Sequence, residues 1–241
     1  MGWKKYLLHW GHRRRLEQGH WFCYLFHLEP RKMADLVQEN HPFKKPMIVF
    51  DFDKTLTYRD TTLPFLAFGL SPMLSMFCHI SYYSLALLVK MQILDVLRLK
   101  QLMVNWRFKG FDDHAWKLHC KAFSAVIKTN SIYNQTNWNQ SNLVVASASF
   151  KEVLLHLFPS SVLVIGSVVE IEKKISITKH AMGEQKAKFL RAEGIESFDR
   201  LYTDSLADLP LMKMAREVVW VKGDQQELLS HQKINNWLKK N

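Results

Sequence analysis

The sequence predicts an α/β protein: a doubly wound, Rossmann-like parallel sheet with an α-helical cap inserted after its first strand. Three observations carry this. Short apolar runs without polar alternation, at 47–50, 143–146 and 162–165, suit strands buried on both faces of a parallel sheet. Helical stretches separate them, as crossover connections between parallel strands require. A long charge-free segment, Thr62 to Val89, interrupts the alternation soon after the first strand.

The first strand, Met47 to Phe50, runs directly into Asp51 and Asp53, with Thr55 behind them. Carboxylates at the mouth of an apolar strand are costly to desolvate unless a metal or a substrate compensates them, so this strand end points to chemistry. It is also the end at which open α/β sheets bind ligands. An ordinary turn through Asp53 and Lys54 is the other reading of these residues alone.

Residues 1–46 read as a basic extension, holding 9 Lys and Arg against 4 Asp and Glu. MGWKKY lacks the Ser or Thr at the sixth position that myristoylation wants. Arg13 to Arg15 are followed by no apolar run, so no secretory or twin-arginine signal is expected. The aromatic stretch Trp21 to Leu28 suits either a membrane surface or packing on the main domain, and Pro42 and Pro46 break the chain before the first strand.

Thr62 to Val89 is long enough for one membrane crossing. If later segments complete the site begun by Asp51, however, both flanks lie on one side of a bilayer, and 28 residues are too few for two helices of about 20. An apolar helical cap is therefore expected, either dipping into a membrane interface or buried within its own module. Gly110 followed by Phe-Asp-Asp marks a break and a new helix, and the polar run 129–142 returns the chain to the sheet as a helix end and loop.

Leu143 to Phe150 is the second strand, ending in Ser147 and Ser149 with a helix directly after it. A helix start with a hydroxyl beside it forms an anion site, and a plain N-cap by Ser149 does not exclude Ser147 from that role. Val162 to Ser167 is the third strand, and the alternation around Lys173 and Lys174 predicts a small hairpin. Gly183 opens a helix carrying Lys186 near its start, where a lysine opposes the helix dipole; it faces an anion or is a solvated surface residue. Leu201 begins a fourth strand, with Asp204 at its end and Asp208 and Pro210 at a helix start. Glu217 to Val221 is the fifth strand, and 225–239 is read as a polar final helix.

Composition bounds the function classes. At 48% hydrophobic and 23% charged the chain is globular. The net charge of +11 lies mostly before residue 141, since 141–241 holds 14 basic against 12 acidic residues. Anionic partners should therefore meet the N-terminal half, but no base-reading motif organises the charge, so nucleic acid is not expected. Cys23, Cys78 and Cys120 form no CxxC pair and read as idle thiols of a reducing compartment. The eleven histidines show no metal-ligand spacing and read as surface or interfacial residues.

Taken together, DFDKT at 51–55, VVASAS ending at Ser149, GEQK ending at Lys186 and TDSLADLPL around Asp204 and Asp208 resemble the four motifs of haloacid-dehalogenase-superfamily phosphatases. The resemblance covers residues 47–221 and lies with the branch that includes phosphoserine phosphatase. It departs from the phosphoserine enzymes at Met182, where they have the motif lysine, and at Ala148-Ser149, where they have Gly-Gly; Lys186 follows the pattern of the wider branch.

The resemblance implies a catalytic core of 47–59 and 141–241 with a helical cap at 60–140. It implies Asp51 as the nucleophile forming an aspartyl phosphate and Asp53 as general acid and base. Mg²⁺ would be held by Asp51, the Asp53 carbonyl and Asp204, with Asp208 supporting. Ser147 would bind a phosphoryl oxygen, Lys186 would neutralise charge, and Thr55 and Asp60 would complete the substrate side.

The uncharged cap and basic N-terminal half are similar to bacterial phosphatases of phosphatidylglycerophosphate. The leading expectation is thus a cytoplasmic Mg²⁺-dependent phosphomonoester hydrolase acting on a lipid head group at the inner membrane face, where basic residues meet anionic lipid. A soluble phosphatase of a small metabolite such as phosphoserine is the alternative, and a non-catalytic membrane or partner-binding module is the third.

Overall fold

A computed structural model describes residues 46–230 except 173, together with 232–234 and 237. The expectations for residues 1–45, Cys23 among them, lie outside the described residues.

The first strand, β1 (Ile48–Phe50), is followed by five helices: α1 (Thr62–Ala67), α2 (Pro72–Lys90), α3 (Val96–Arg107), α4 (Asp113–Ser124) and α5 (Ser131–Gln135). The chain then alternates through β2 (Leu143–Phe150), α6 (Lys151–Leu155), β3 (Leu163–Ile171), β4 (Ile175–Lys179), α7 (Glu184–Ala192) and β5 (Phe198–Thr203). A single 3₁₀ turn (Leu206–Asp208), α8 (Leu209–Met212), β6 (Ala215–Lys222) and β7 (Gln225–Leu228) follow.

The strands form one sheet in the order β4-β3-β2-β1-β5-β6-β7. β3, β2, β1, β5 and β6 run parallel, and β4 and β7 are antiparallel edges. β1 sits centrally, its Ile48 facing Leu143 of β2 on one side and Arg200 of β5 on the other. Both faces are covered. Ala187 and Leu190 of α7 with Leu211 and Met212 of α8 lie against Val49, Val144 and Leu201. On the opposite face Ile132, Leu154 and Phe158 pack on Phe50, Val145 and Val164. This is the expected α/β Rossmann-like architecture, and it explains why the central strands read as unbroken apolar runs.

The connection between β1 and β2 leaves and returns through a narrow neck, where Thr57 bridges Thr129 and the Asn130 amide donates to the Thr55 carbonyl at 2.8 Å. Beyond the neck, α1 to α4 build a second core around Phe65, whose ring meets Phe108, Trp116, Phe123 and Phe150 at 5.0–5.5 Å between centroids. His119 joins these rings, and burial lowers its pKa. Cys78 and Cys120 are free and buried, as idle thiols should be.

α2 departs from ordinary helix packing. Pro72 starts it and Cys78 is its one buried residue, while Met73, Phe77, Ile80, Tyr83 and Leu87 are about half exposed or more.

One element is corrected. Residues 225–228 are not the start of a final helix but a strand, joined to β6 by the two-residue link Gly223-Asp224 with Lys222 opposite Gln225. Gly223 has φ +64°, the left-handed geometry that tight hairpins demand, and this outweighs the polar sequence QQEL.

Candidate active site

The parallel strands deliver Asp51 from the end of β1, Ser147 from β2 and Asp204 from the end of β5 to one edge of the sheet. They line a cavity of about 170 Å³ together with Asp53, Lys54, Asp60, Lys186 and Asp208. Seven of the eight residues singled out from the sequence thus line one cavity. Thr55 is the exception. It is fully buried, its hydroxyl has no protein partner, and it does not line the cavity. Its carbonyl instead receives Asn130 at the neck.

Lys186 is the electrostatic centre. Gly183, at φ +55° and ψ −126°, lets the chain turn into α7, and the lysine then lies within its first turn, 4% exposed. Its Nζ donates to Asp51 Oδ1 at 2.7 Å and to Asp208 Oδ1 at 2.8 Å. Burial works to strip its proton, but Asp51 and Asp208 outweigh burial and hold the ammonium above its ordinary pKa. Asp208 is completed by Thr203, whose Oγ1 donates to Oδ2 at 2.8 Å. Both Asp208 oxygens are thus hydrogen-bonded, one to Lys186 and one to Thr203.

Asp53 is held differently. Thr61 donates to Oδ1 through its hydroxyl at 2.6 Å and its amide at 2.8 Å, and Ser149 Oγ donates to Oδ2 at 2.6 Å. Burial nevertheless raises its pKa, Asp60 adds to that, and these hydrogen bonds oppose it. A carboxyl so placed holds a proton more readily than a free aspartate. Asp51 is pushed up to about 8, first by burial and then by Asp208 and Asp53, against the opposing pull of Lys186. Asp204 is also raised by burial, with Lys54 opposing. Asp60 is exposed at the cavity rim, where its Oδ1 accepts from the Thr62 amide at 2.8 Å.

Five aspartates face this cavity against two lysines. That surplus of negative charge, which burial makes more costly, is the kind of site a hard divalent cation fits. Among the described residues no three His, Cys, Asp or Glu side chains gather as a ready metal cage. The fit is to a cation held by two carboxylates and backbone or substrate oxygens, not to an all-side-chain cage.

Residue reading had not picked out Lys54, Thr61 or Ser149 as contributors. Lys54 adopts φ +59°, a strained turn that costs a non-glycine residue about 1 kcal/mol and keeps a cation at the cavity wall. The strained position could not be inferred from the sequence. Thr61 could have been singled out as the hydroxyl following Asp60 at the start of α1.

No protein-family model matches this sequence, and no curated protein matches it either. Solved structures do resemble it. A protein of unknown function from Bordetella pertussis Tohama I aligns with TM-score 0.51 and 15% identity over 69% of this chain and 85% of that one, a likeness of fold alone. A phospho-aspartyl intermediate analogue of phosphoserine phosphatase aligns with TM-score 0.46 and 15% identity over 80% of this chain and 91% of that one. Cytosolic 5'-nucleotidase IIIB bound to cytidine aligns with TM-score 0.39 and 10% identity over 76% and 73%.

Proposed function

We propose that the chain is a Mg²⁺-dependent phosphomonoester hydrolase that works through an aspartyl phosphate on Asp51. The observation that carries this reading is the buried Asp51–Lys186–Asp208 chain beside a separately hydrogen-bonded Asp53, all on one cavity. Phosphoryl transfer needs an aligned nucleophile and charge compensation on the transferring oxygens, and little else.

In this reading Lys186 holds Asp51 by Oδ1, leaving Oδ2 to attack phosphorus as the ester P–O bond breaks. Asp53, whose burial favours the protonated form, gives its proton to the departing alkoxide. Water then attacks the aspartyl phosphate, Asp53 takes the water's proton back, and Asp51 is freed with release of inorganic phosphate. Ser147 donates its hydroxyl to a phosphoryl oxygen, and Lys186 offsets the charge that builds there. Asp51, Asp204 and the Asp53 backbone carbonyl would hold Mg²⁺, which would supply Lewis-acid neutralisation of charge on the phosphoryl oxygens. The residues at 47–59 and 141–241 form the catalytic core and those at 60–140 the cap.

The substrate is a phosphomonoester on a membrane lipid, such as phosphatidylglycerophosphate, met at the inner face of the cytoplasmic membrane. Two features support this. α2 is the one described helix long and apolar enough to cross a bilayer, and 6% of its most apolar window is buried. Because β1 and β2, which flank the insert, pair directly, a single crossing by α2 would separate them, and in this reading α2 lies in the interface instead. Tyr82 of α2 is within electrostatic reach of the cavity's acids: burial, with Asp60 and Asp53 adding, pushes its phenol up to about 12.

Phosphate release from p-nitrophenyl phosphate, from phosphatidylglycerophosphate in mixed micelles and from phosphoserine tests the proposal. Mg²⁺-dependent release that Asp51→Asn abolishes is expected, with the lipid preferred. Preference for phosphoserine would overturn the lipid assignment while leaving the phosphatase, and equal silence of wild type and variant would overturn both.

A further inference from the structure

Lys100 is a buried cation to which this chemistry gives no task. It lies on α3, within the inserted helices, and is 4% exposed. Its Nζ donates to the Ala148 carbonyl at 2.5 Å and sits 4.2 Å from the centroid of the Phe150 ring. No carboxylate among the described residues pairs with it at ion-pair distance, so its desolvation is offset by one carbonyl and one ring face. Burial pushes its pKa down to about 8, with Asp53 and Asp60 opposing. A lysine is a costly way to fill an apolar helix face, which directs attention to the carbonyl it holds.

That carbonyl belongs to the Ala148–Ser149 peptide. Ser167 Oγ of β3 donates to the same oxygen at 2.6 Å, and the N–H on the other side of the peptide plane, that of Ser149, donates to Ser147 Oγ at 3.1 Å. The C=O and N–H of a trans peptide point in opposite directions, so two donors fixed on the carbonyl fix where the N–H points. A serine oxygen that accepts this N–H keeps its own proton for another acceptor, and Ser147 lines the cavity.

We propose that Lys100 is a positioning residue for Ser147: by clamping the Ala148 carbonyl from the inserted helices, it fixes the peptide that leaves the Ser147 hydroxyl free to donate to a phosphoryl oxygen. The cap thereby controls phosphate binding through one charge-assisted hydrogen bond. This rests on the phosphatase reading above.

A double-mutant cycle on the full chain tests it, with kcat and KM measured on p-nitrophenyl phosphate in Mg²⁺ for wild type, Lys100→Met, Ser147→Ala and the pair. Lys100→Met is expected to lower kcat/KM about tenfold, the scale of one charge-assisted hydrogen bond. In the Ser147→Ala background the same change should cost less than about twofold, because the group it acts through is gone. An equal loss in both backgrounds, or no loss in either, overturns the proposal, since a lysine that merely supports the fold acts regardless of Ser147. Should Lys100→Met lose cooperative melting, Lys100→Gln carries the same cycle with the same two outcomes. A wild type that releases no phosphate defeats the phosphatase reading; an active wild type with an additive cycle defeats the role of Lys100 alone.

Discussion

The cavity at the carboxyl end of the sheet and the outer face of α2 handle their side chains in opposite ways. At the cavity each buried charge is tied to others: Lys186 to Asp51 and Asp208, Asp208 to Thr203, Asp53 to Thr61 and Ser149. On α2, Met73, Phe77, Ile80 and Leu87 stand about half exposed or more. Polar groups that folding would sooner leave in water are buried, and apolar groups that folding would bury are left out. Neither arrangement maximises stability, and both are what the proposed function would use: a charged ligand inside the cavity and an apolar surface against α2.

The contrast predicts very different responses to substitution. The largest belongs to Lys186→Met, which leaves Asp51 and Asp208 buried without their shared cation. Removing one partner from a buried ion pair costs about 3–5 kcal/mol, and urea unfolding at pH 8 should register a loss on that scale. The loss should shrink toward pH 5, where the stranded carboxyls take up protons. A loss below about 1 kcal/mol at pH 8 would mean that the lysine does not hold these carboxylates together.

The next effect is a pH dependence of the metal-free protein. A carboxyl whose folded pKa is raised binds its proton more tightly folded than unfolded, so folding is favoured most below the ordinary value of 3.8 and loses ground as pH rises toward about 8, where Asp51 titrates. Asp53 and Asp204 shift in the same direction. His119 and His180 are depressed by burial and act oppositely, but only at and below their ordinary value of 6.5. Burial depresses Lys100 to about 8, so it opposes the carboxyls from about pH 7 upward. In Lys100→Met protein the carboxyl effect stands alone between about pH 7 and 8, and the thermal midpoint should fall, one carboxyl supplying at most about 1.4 kcal/mol per pH unit. Saturating Mg²⁺ should abolish the slope. A midpoint that is flat without metal would remove the case for surplus charge in the cavity.

The same contrast explains what could be read from the sequence. Asp51, Ser147 and Asp204 were legible because an apolar strand that ends in a polar residue marks its own exit from the sheet, and a parallel sheet sends those exits to one edge. Lys100 was not legible: on a helix of alternating character it looks like any surface lysine, and only the packing of the inserted helices on Phe150 reveals that it reaches Ala148. The placement of Thr55 was not legible, because the turn after β1 that directs it into the interior leaves no mark in the sequence. β7 was missed because QQEL carries no alternation, the signal being the Gly-Asp link before it. α2 was legible as a helix, but a charge-free helix reads the same whether protein or lipid covers it.

That last ambiguity yields the smallest expected effect on stability and the most telling one on location. Phe77 and Ile80 are 49% and 55% exposed on α2, so replacing both by serine removes only their buried halves and should change the unfolding free energy by on the order of 1 kcal/mol. If the helix lies in a lipid interface, the same pair contributes apolar area that the bilayer takes from water, on the order of 1 kcal/mol or more between them. Cosedimentation with vesicles rich in phosphatidylglycerol should then weaken on the order of tenfold, while hydrolysis of soluble p-nitrophenyl phosphate stays unchanged. Unaltered cosedimentation would take the membrane away from α2, and a large loss of stability would mean that protein, not lipid, covers its face.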